Sequence, residues 1–156
     1  MRHEIERKFL VVGDGWRTAV KDGVMCCQGY ITSSPTRATV RVRLLGERGF
    51  LTIKGASQGL SRPEFEYEVA AADAEYMIEN ICGDRLISKK RYTVEFGGMI
   101  WEIDEFLGLN EGLVMAEIEL ESENQSFKKP AWLGAEVTCD SRYYNAALAR
   151  CPFARW

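Results

Sequence analysis

Side chains along a β-strand point alternately to opposite faces, so residues two apart share a face. In this chain that period returns in segment after segment, with charged residues on one parity and apolar residues on the other. Glu4, Glu6 and Lys8 share a face, and Arg41 and Arg43 lie together while Val40, Val42 and Leu44 turn away. Lys54 ends its segment opposite Leu51 and Ile53, and Glu64, Glu66 and Glu68 alternate with Phe65, Tyr67 and Val69. Further on, Lys89, Arg91 and Glu95 alternate with Tyr92, Val94 and Phe96, Glu102 and Asp104 with Trp101 and Ile103, and Glu117, Glu119 and Glu121 with Ile118 and Leu120.

The period predicts strands over 3–12, 28–32, 37–45, 49–54, 63–70, 87–97, 99–107 and 113–121. The Gly97-Gly98 turn and the 46–49 connection are too short for a parallel crossover, so these neighbours pair antiparallel. A helical pattern runs from Asp73, read as its N-cap, to a stop at Gly83. A second helix is expected from Asp140 to Pro152, and a short third over 14–21. With 156 residues and no repeat or linker, the chain reads as one α+β domain over 1–156.

Composition removes several function classes. No run approaches the ~18 apolar residues of a membrane span, and the N-terminus carries no apolar leader, so a cytoplasmic protein is expected. Five cysteines in no ligand spacing, with a single histidine, read as reduced thiols and argue against zinc. A net charge of -3 argues against nucleic acid as a partner.

An antiparallel sheet with one charged, solvated face is ordinary. Here, however, the charges come in like-signed blocks, Glu-x-Glu and Arg-x-Arg or Lys-x-Arg, which repel unless something of opposite sign lies between them. A row of carboxylates beside a row of guanidinium and ammonium groups suits a polyanion with its metal: carboxylates ligate Mg²⁺ or Mn²⁺, while Arg and Lys take phosphate oxygens. The strands are also enough to close a barrel, which would enclose that face.

The block Glu4-Ile5-Glu6-Arg7-Lys8 resembles the Glu-x-Glu-x-Lys signature of the CYTH superfamily, the triphosphate tunnel metalloenzymes. The likeness continues through Gln28-Gly29-Tyr30, Val40-Arg41-Val42-Arg43, Leu51 to Gly55, Glu64 to Glu68, Lys89 to Tyr92, Trp101 to Phe106, Ala116 to Leu120, and the tail from Trp132 to Tyr143. The resemblance implies an eight-stranded antiparallel β-barrel, a triphosphate tunnel, with a few covering helices. It implies metal-binding carboxylates at Glu4, Glu6, Glu117 and Glu119, and phosphate-gripping bases at Lys8, Arg41, Arg43, Lys54, Lys89 and Arg91. Glu64, Glu66 and Asp104 match further tunnel acids, and Ala135 stands where family members often carry a base.

These features lead to an expected Mg²⁺- or Mn²⁺-dependent hydrolase of inorganic triphosphate. Lys8 and Tyr30 are candidates for activating the water, as is a second metal; Tyr30 also reads as a packing aromatic with a satisfied hydroxyl. A class IV adenylate cyclase, a thiamine or nucleoside triphosphatase and a non-catalytic polyphosphate binder are the alternatives. Apolar outward positions with three short helices to cover them leave surface for a homodimer.

Overall fold

The computed structural model describes residues 3–20, 22–33, 38–56, 59 and 61–156. The strands are His3–Val11 (β1), Val24–Ser33 (β2), Ala38–Leu45 (β3), Arg48–Gly55 (β4), Ser61–Val69 (β5), Leu86–Phe96 (β6), Met99–Phe106 (β7), Val114–Glu119 (β8) and Leu133–Glu136 (β9). They are hydrogen-bonded in the order β5-β4-β3-β2-β6-β7-β8-β1-β9, and β1 pairs a second time with β5. That second pairing closes β1 to β8 into an eight-stranded antiparallel barrel, as expected, with β9 as an addition beside β1.

One long strand makes the closure possible. The first residues of β1 form the seam, with His3, Glu4 and Ile5 opposite Pro63, Arg62 and Ser61 of β5. Residues 6–10 pair with β8, and Phe9 and Val11 reach β9. Two hairpins are set by glycine. Gly97 and Gly98 both have positive φ, 65° and 80°, which the primed turn linking right-twisted strands requires. Gly46, at φ 58°, opens the two-residue loop between Leu45 and Arg48.

The outer faces are apolar and covered unevenly. Phe9, Trp16, Tyr92, Trp101, Ile118 and Trp132 build one outer core. The helix α1, Ala71–Asn80, lays Ala74 and Ile78 over Val42 on the opposite wall, with Cys82 just beyond it. Gly49 permits that approach, because a Cβ there would stand 2.8 Å from the Ala74 Cβ.

Inside, the charged parity does not run from end to end. Past Gln28, Lys89, Asp104 and Glu117, the same inward parity continues as Tyr30, Ile87, Phe106 and Met115. These residues, with Leu113, Val137 and Leu148, form an apolar floor across one end of the barrel. The helix α2, Asn145–Leu148, supplies Leu148 to it.

Several expected boundaries change. β2 begins at Val24 rather than at 28. Helix α1 starts at Ala71; Asp73 lies in its first turn instead of capping it, where a carboxylate favours the helix dipole. The C-terminal helix is broken because Tyr144 is extended, with ψ 134°. Asp140 caps only the 3₁₀ turn Ser141–Tyr143, accepting from the Arg142 N–H at 3.1 Å. The third helix is a 3₁₀ turn, Gly15–Ala19; residues 21 and 37, at the edges of two expected elements, lie outside the described residues. The five cysteines are free, and among the described residues no helix is long and apolar enough to cross a membrane.

Candidate functional site

Inward parity brings together every charged candidate site residue, with some others, while Glu68, Glu95 and Glu121 of the same alternating pattern are exposed. Among the described residues, the bases Lys8, Arg41, Arg43, Lys54, Arg62, Lys89 and Arg91 face the acids Glu4, Glu6, Glu64, Glu66, Glu102, Asp104, Glu117 and Glu119. The two signs nearly cancel, so a polyanion entering this space needs cations to accompany it.

Near the seam, Lys54 Nζ donates to both oxygens of Glu4 at 2.7 Å and also stands 2.7 Å from Glu64. Arg62 spans two carboxylates: its Nε donates to Glu4 and its Nη2 to Glu6, each at 2.8 Å. Burial pushes the Glu4 carboxyl up, but Lys54 and Arg62 outweigh it and hold the group well below the usual carboxylate range. Glu64 goes the other way, raised by burial and by sharing a hydrogen bond with Glu4. Glu119 makes no salt bridge to a described residue, and burial, then Glu4, Glu102 and Glu6, push its carboxyl up.

In the middle of the barrel the pairs are buried. Lys8 Nζ lies 2.5 Å from Glu117 and 3.0 Å from Glu6. Burial alone would lower its pKa, yet the two carboxylates outweigh that and hold it above the ordinary lysine value. Asp104, fully buried, accepts from Lys89 at 2.5 Å and from two nitrogens of Arg91 at 2.7 Å. Arg91 also reaches Glu117 at 3.2 Å and pairs with Glu102. Lys89 further donates to Asn145 of α2 at 3.2 Å, which ties the floor to the charged layer.

The wall of β3, β4 and β5 is different. One oxygen of Glu66 receives Arg43 at 3.0 Å, Arg41 at 3.3 Å and the Thr52 hydroxyl at 2.8 Å. That leaves the two guanidinium groups short of acceptors, and the Nε of Arg41 and of Arg43 are both buried without a hydrogen-bond partner. An unmet buried donor costs about 1–3 kcal/mol, more when charged. Two such charged donors on one wall are chemically suited to the oxygens of an anion.

The surroundings of two residues singled out from the sequence bear on what each can do. Tyr30 belongs to the apolar floor, its hydroxyl accepting from Gln28 at 2.8 Å, and burial pushes its pKa up to about 12. Lys8 lies close enough for its charge to act on the Tyr30 hydroxyl, as does that of Arg41. Glu117 is enclosed by Lys8 and Arg91 and held below its ordinary pKa, burial being outweighed by these bases and Lys89. As it stands, it is a counterion for bases rather than a free ligand.

Among the described residues, no three Asp, Glu, His or Cys side chains are arranged to enclose an ion, and bases hold both oxygens of Glu4 and Oε1 of Glu6. Sequence reasoning missed Arg62, Glu102, Thr52, Gln28 and Asn145 as site residues. Arg62 carries a signal, since it is two positions before Glu64 and shares its face, but the strand expected from the sequence begins at 63, one residue later. Asn145 had none, because only the fold brings the C-terminal segment back beneath β6.

Comparison with known proteins supports what the geometry suggests. A chain from Acetivibrio thermocellus named inorganic triphosphatase is 50% identical over 153 residues, covering 98% of this chain and 97% of its own. One of the same name from Nitrosomonas europaea is 39% identical over 151 residues, covering 94% and 96%. A solved inorganic triphosphatase superposes with a TM-score of 0.67 at 35% identity, covering 96% of this chain and 95% of that one. A Pyrococcus horikoshii structure, at 18% identity, TM-score 0.56 and coverage of 78% and 80%, shares the fold. The CYTH domain pattern matches residues 2–147, and with it the closed barrel and its charged interior place this chain in the CYTH domain family.

Proposed function

We propose that the barrel binds inorganic triphosphate with Mg²⁺ or Mn²⁺ and hydrolyses it to pyrophosphate and orthophosphate. The observation that carries this reading is the pair of buried, unpartnered Nε donors on Arg41 and Arg43, which call for an anion with several oxygens. Lys8, Lys54, Lys89 and Arg91 line the same interior and would hold the rest of the phosphate chain. The named activity of two relatives that align with nearly the whole chain supports the same substrate.

The acid cluster at the seam supplies the hard oxygen donors that a divalent ion takes, once the bases on Glu4 and Glu6 move aside. Glu119, which makes no salt bridge to a described residue, is pushed up by burial and by Glu4, Glu102 and Glu6 against a smaller pull from Lys54, a repulsion that a cation would lessen. We assign the ion to Glu4, Glu6 and Glu119. Glu117 would join only by giving up Lys8 and Arg91. When bound, the ion supplies positive charge to phosphate oxygens in a space whose own charges nearly cancel.

Phosphoryl transfer asks mainly for positioning and charge neutralisation. Arg41 and Arg43 fix one stretch of the substrate, while Lys8 and Arg91 face the phosphate oxygens on which charge develops. A water attacks the terminal phosphorus, the bridging P–O bond breaks with its electron pair leaving on pyrophosphate, and the water's proton passes to a phosphate oxygen. Glu64 and Glu66 keep the bases oriented, as does Asp104. Tyr30 acts as part of the floor. We read 1–156 as one cytoplasmic domain with a small-molecule substrate, and its exposed outer Phe65 and Tyr67 as surface for a homodimer.

The test compares triphosphate hydrolysis by wild type and by Glu6→Ala, Lys8→Ala and Arg43→Ala, each checked for a cooperative melt. The expected result is a loss of at least about 100-fold for each. Undiminished turnover in any folded variant contradicts the assignment of that residue, and in all three the reading itself.

A further inference from the structure

We infer that Arg62 is an internal stand-in for the metal: it occupies Glu4 and Glu6 in the empty barrel, withdraws when a divalent ion enters, and thereby couples ion binding to triphosphate binding. This rests on the metal reading above and concerns what the chain does before the ion arrives.

Arg62 faces Glu4 directly across the seam, and its fork bridges Glu4 Oε2 and Glu6 Oε1 at 2.8 Å each. These are oxygens that a hard divalent cation would take. A guanidinium and a divalent ion on the same two carboxylates repel strongly at such range. The two compete for the same carboxylate charge. Lys54 and Lys8 also hold these acids, but their side chains are only 8% and 7% exposed, against 25% for Arg62. Arg62 is thus the member with room to swing away, and a triphosphate gives it new oxygens to bond.

Two consequences follow from linkage. The empty barrel binds the ion weakly, because binding must displace an existing cation. Triphosphate strengthens ion binding by giving Arg62 another acceptor, and the ion strengthens triphosphate binding by the same factor.

The experiment is calorimetric titration of Mn²⁺ into the full chain, with and without the imido analogue of triphosphate, in which NH replaces the bridging oxygens and hydrolysis is blocked. In the absence of the analogue, Arg62→Gln is expected to bind Mn²⁺ about tenfold more tightly than wild type, since a competing charge has been removed. The factor by which the analogue strengthens Mn²⁺ binding is expected to shrink about tenfold in that variant. Should Arg62→Gln lack a cooperative melt, Arg62→Lys takes its place; it cannot span both carboxylates, so tightening in the same direction is expected. Unchanged or weaker Mn²⁺ binding by the folded variant, with wild type binding Mn²⁺ normally in the presence of the analogue, overturns the inference alone. If wild type takes up no Mn²⁺ even with the analogue and Glu6→Gln changes nothing, the metal reading falls and the inference with it.

Discussion

Replacing Asp104 by Asn removes one negative charge from the most enclosed part of the barrel while keeping the side chain's shape. Asp104 is fully buried and accepts three short bonds, one from Lys89 and two from Arg91. Arg91 keeps Glu117 and Glu102, and Lys89 keeps Asn145, so the damage is partly contained. Leaving a buried charge without its partner costs roughly 3–5 kcal/mol, and the remaining contacts point to the low end, about 3 kcal/mol. At roughly 2–4 °C per kcal/mol for a domain of this size, the melting temperature falls by about 6–12 °C. The effect also has a pH signature. Burial pushes the Asp104 carboxyl up, but Arg91 and Lys89 outweigh it, so its folded pKa lies below the unfolded value. A depressed carboxyl contributes stability that is present above the unfolded pKa, about 3.9, and lost as pH falls through the folded one. The gap between wild type and Asp104→Asn is therefore expected to be full at pH 7 and to narrow as the pH falls below about 4. Thermal melts by circular dichroism across that range measure it. A shift of less than about 2 °C at pH 7, or a gap that widens on acidification, refutes the reasoning.

Three further outcomes follow from the same contacts. Tyr30→Phe should retain most triphosphatase activity and cost about 1 kcal/mol of stability, the usual worth of one hydrogen bond; a loss of activity above about 100-fold would restore a chemical role to the hydroxyl. Glu119→Gln should raise the melting temperature of the metal-free protein by relieving repulsion from Glu4, Glu6 and Glu102 while weakening Mn²⁺ binding, and a lower melting temperature would contradict this. Gly49→Val should destabilise the protein by several kcal/mol without altering the interior charges, because its Cβ alone would meet Ala74 of α1 at 2.8 Å; a melt within about 2 °C of wild type would show that α1 yields easily.

The walls of this molecule were legible because alternation in Glu4-Ile5-Glu6, Arg41-Val42-Arg43 and Glu64-Phe65-Glu66 is a one-strand property that needs no knowledge of neighbours. The shared charged face came from the same signal, whereas the closed barrel was implied by the resemblance to the CYTH superfamily, alternation supplying only enough strands to close one. What alternation does not carry is position along the barrel. Tyr30 and Arg41 are register partners on adjacent strands, yet one lies in the apolar floor and the other in the charged layer. Only the stagger of the strands and the returning C-terminal segment separate them, and neither is written in a local pattern. The same holds for Glu117. It shares a face and a spacing with Glu119, but Lys8 and Arg91 neutralise the first while the second faces other acids. Strand β9 escaped because four residues are too few for a period, and α2 because the break at Tyr144 depends on what the segment packs against.

The most direct measurement is product analysis after incubating the purified protein with inorganic triphosphate, ATP or thiamine triphosphate, each with Mg²⁺, Mn²⁺ or a chelator. The account predicts orthophosphate and pyrophosphate from inorganic triphosphate in the presence of either ion, and none with the chelator. Cyclic AMP from ATP, faster release from thiamine triphosphate, or undiminished hydrolysis with the chelator would contradict it.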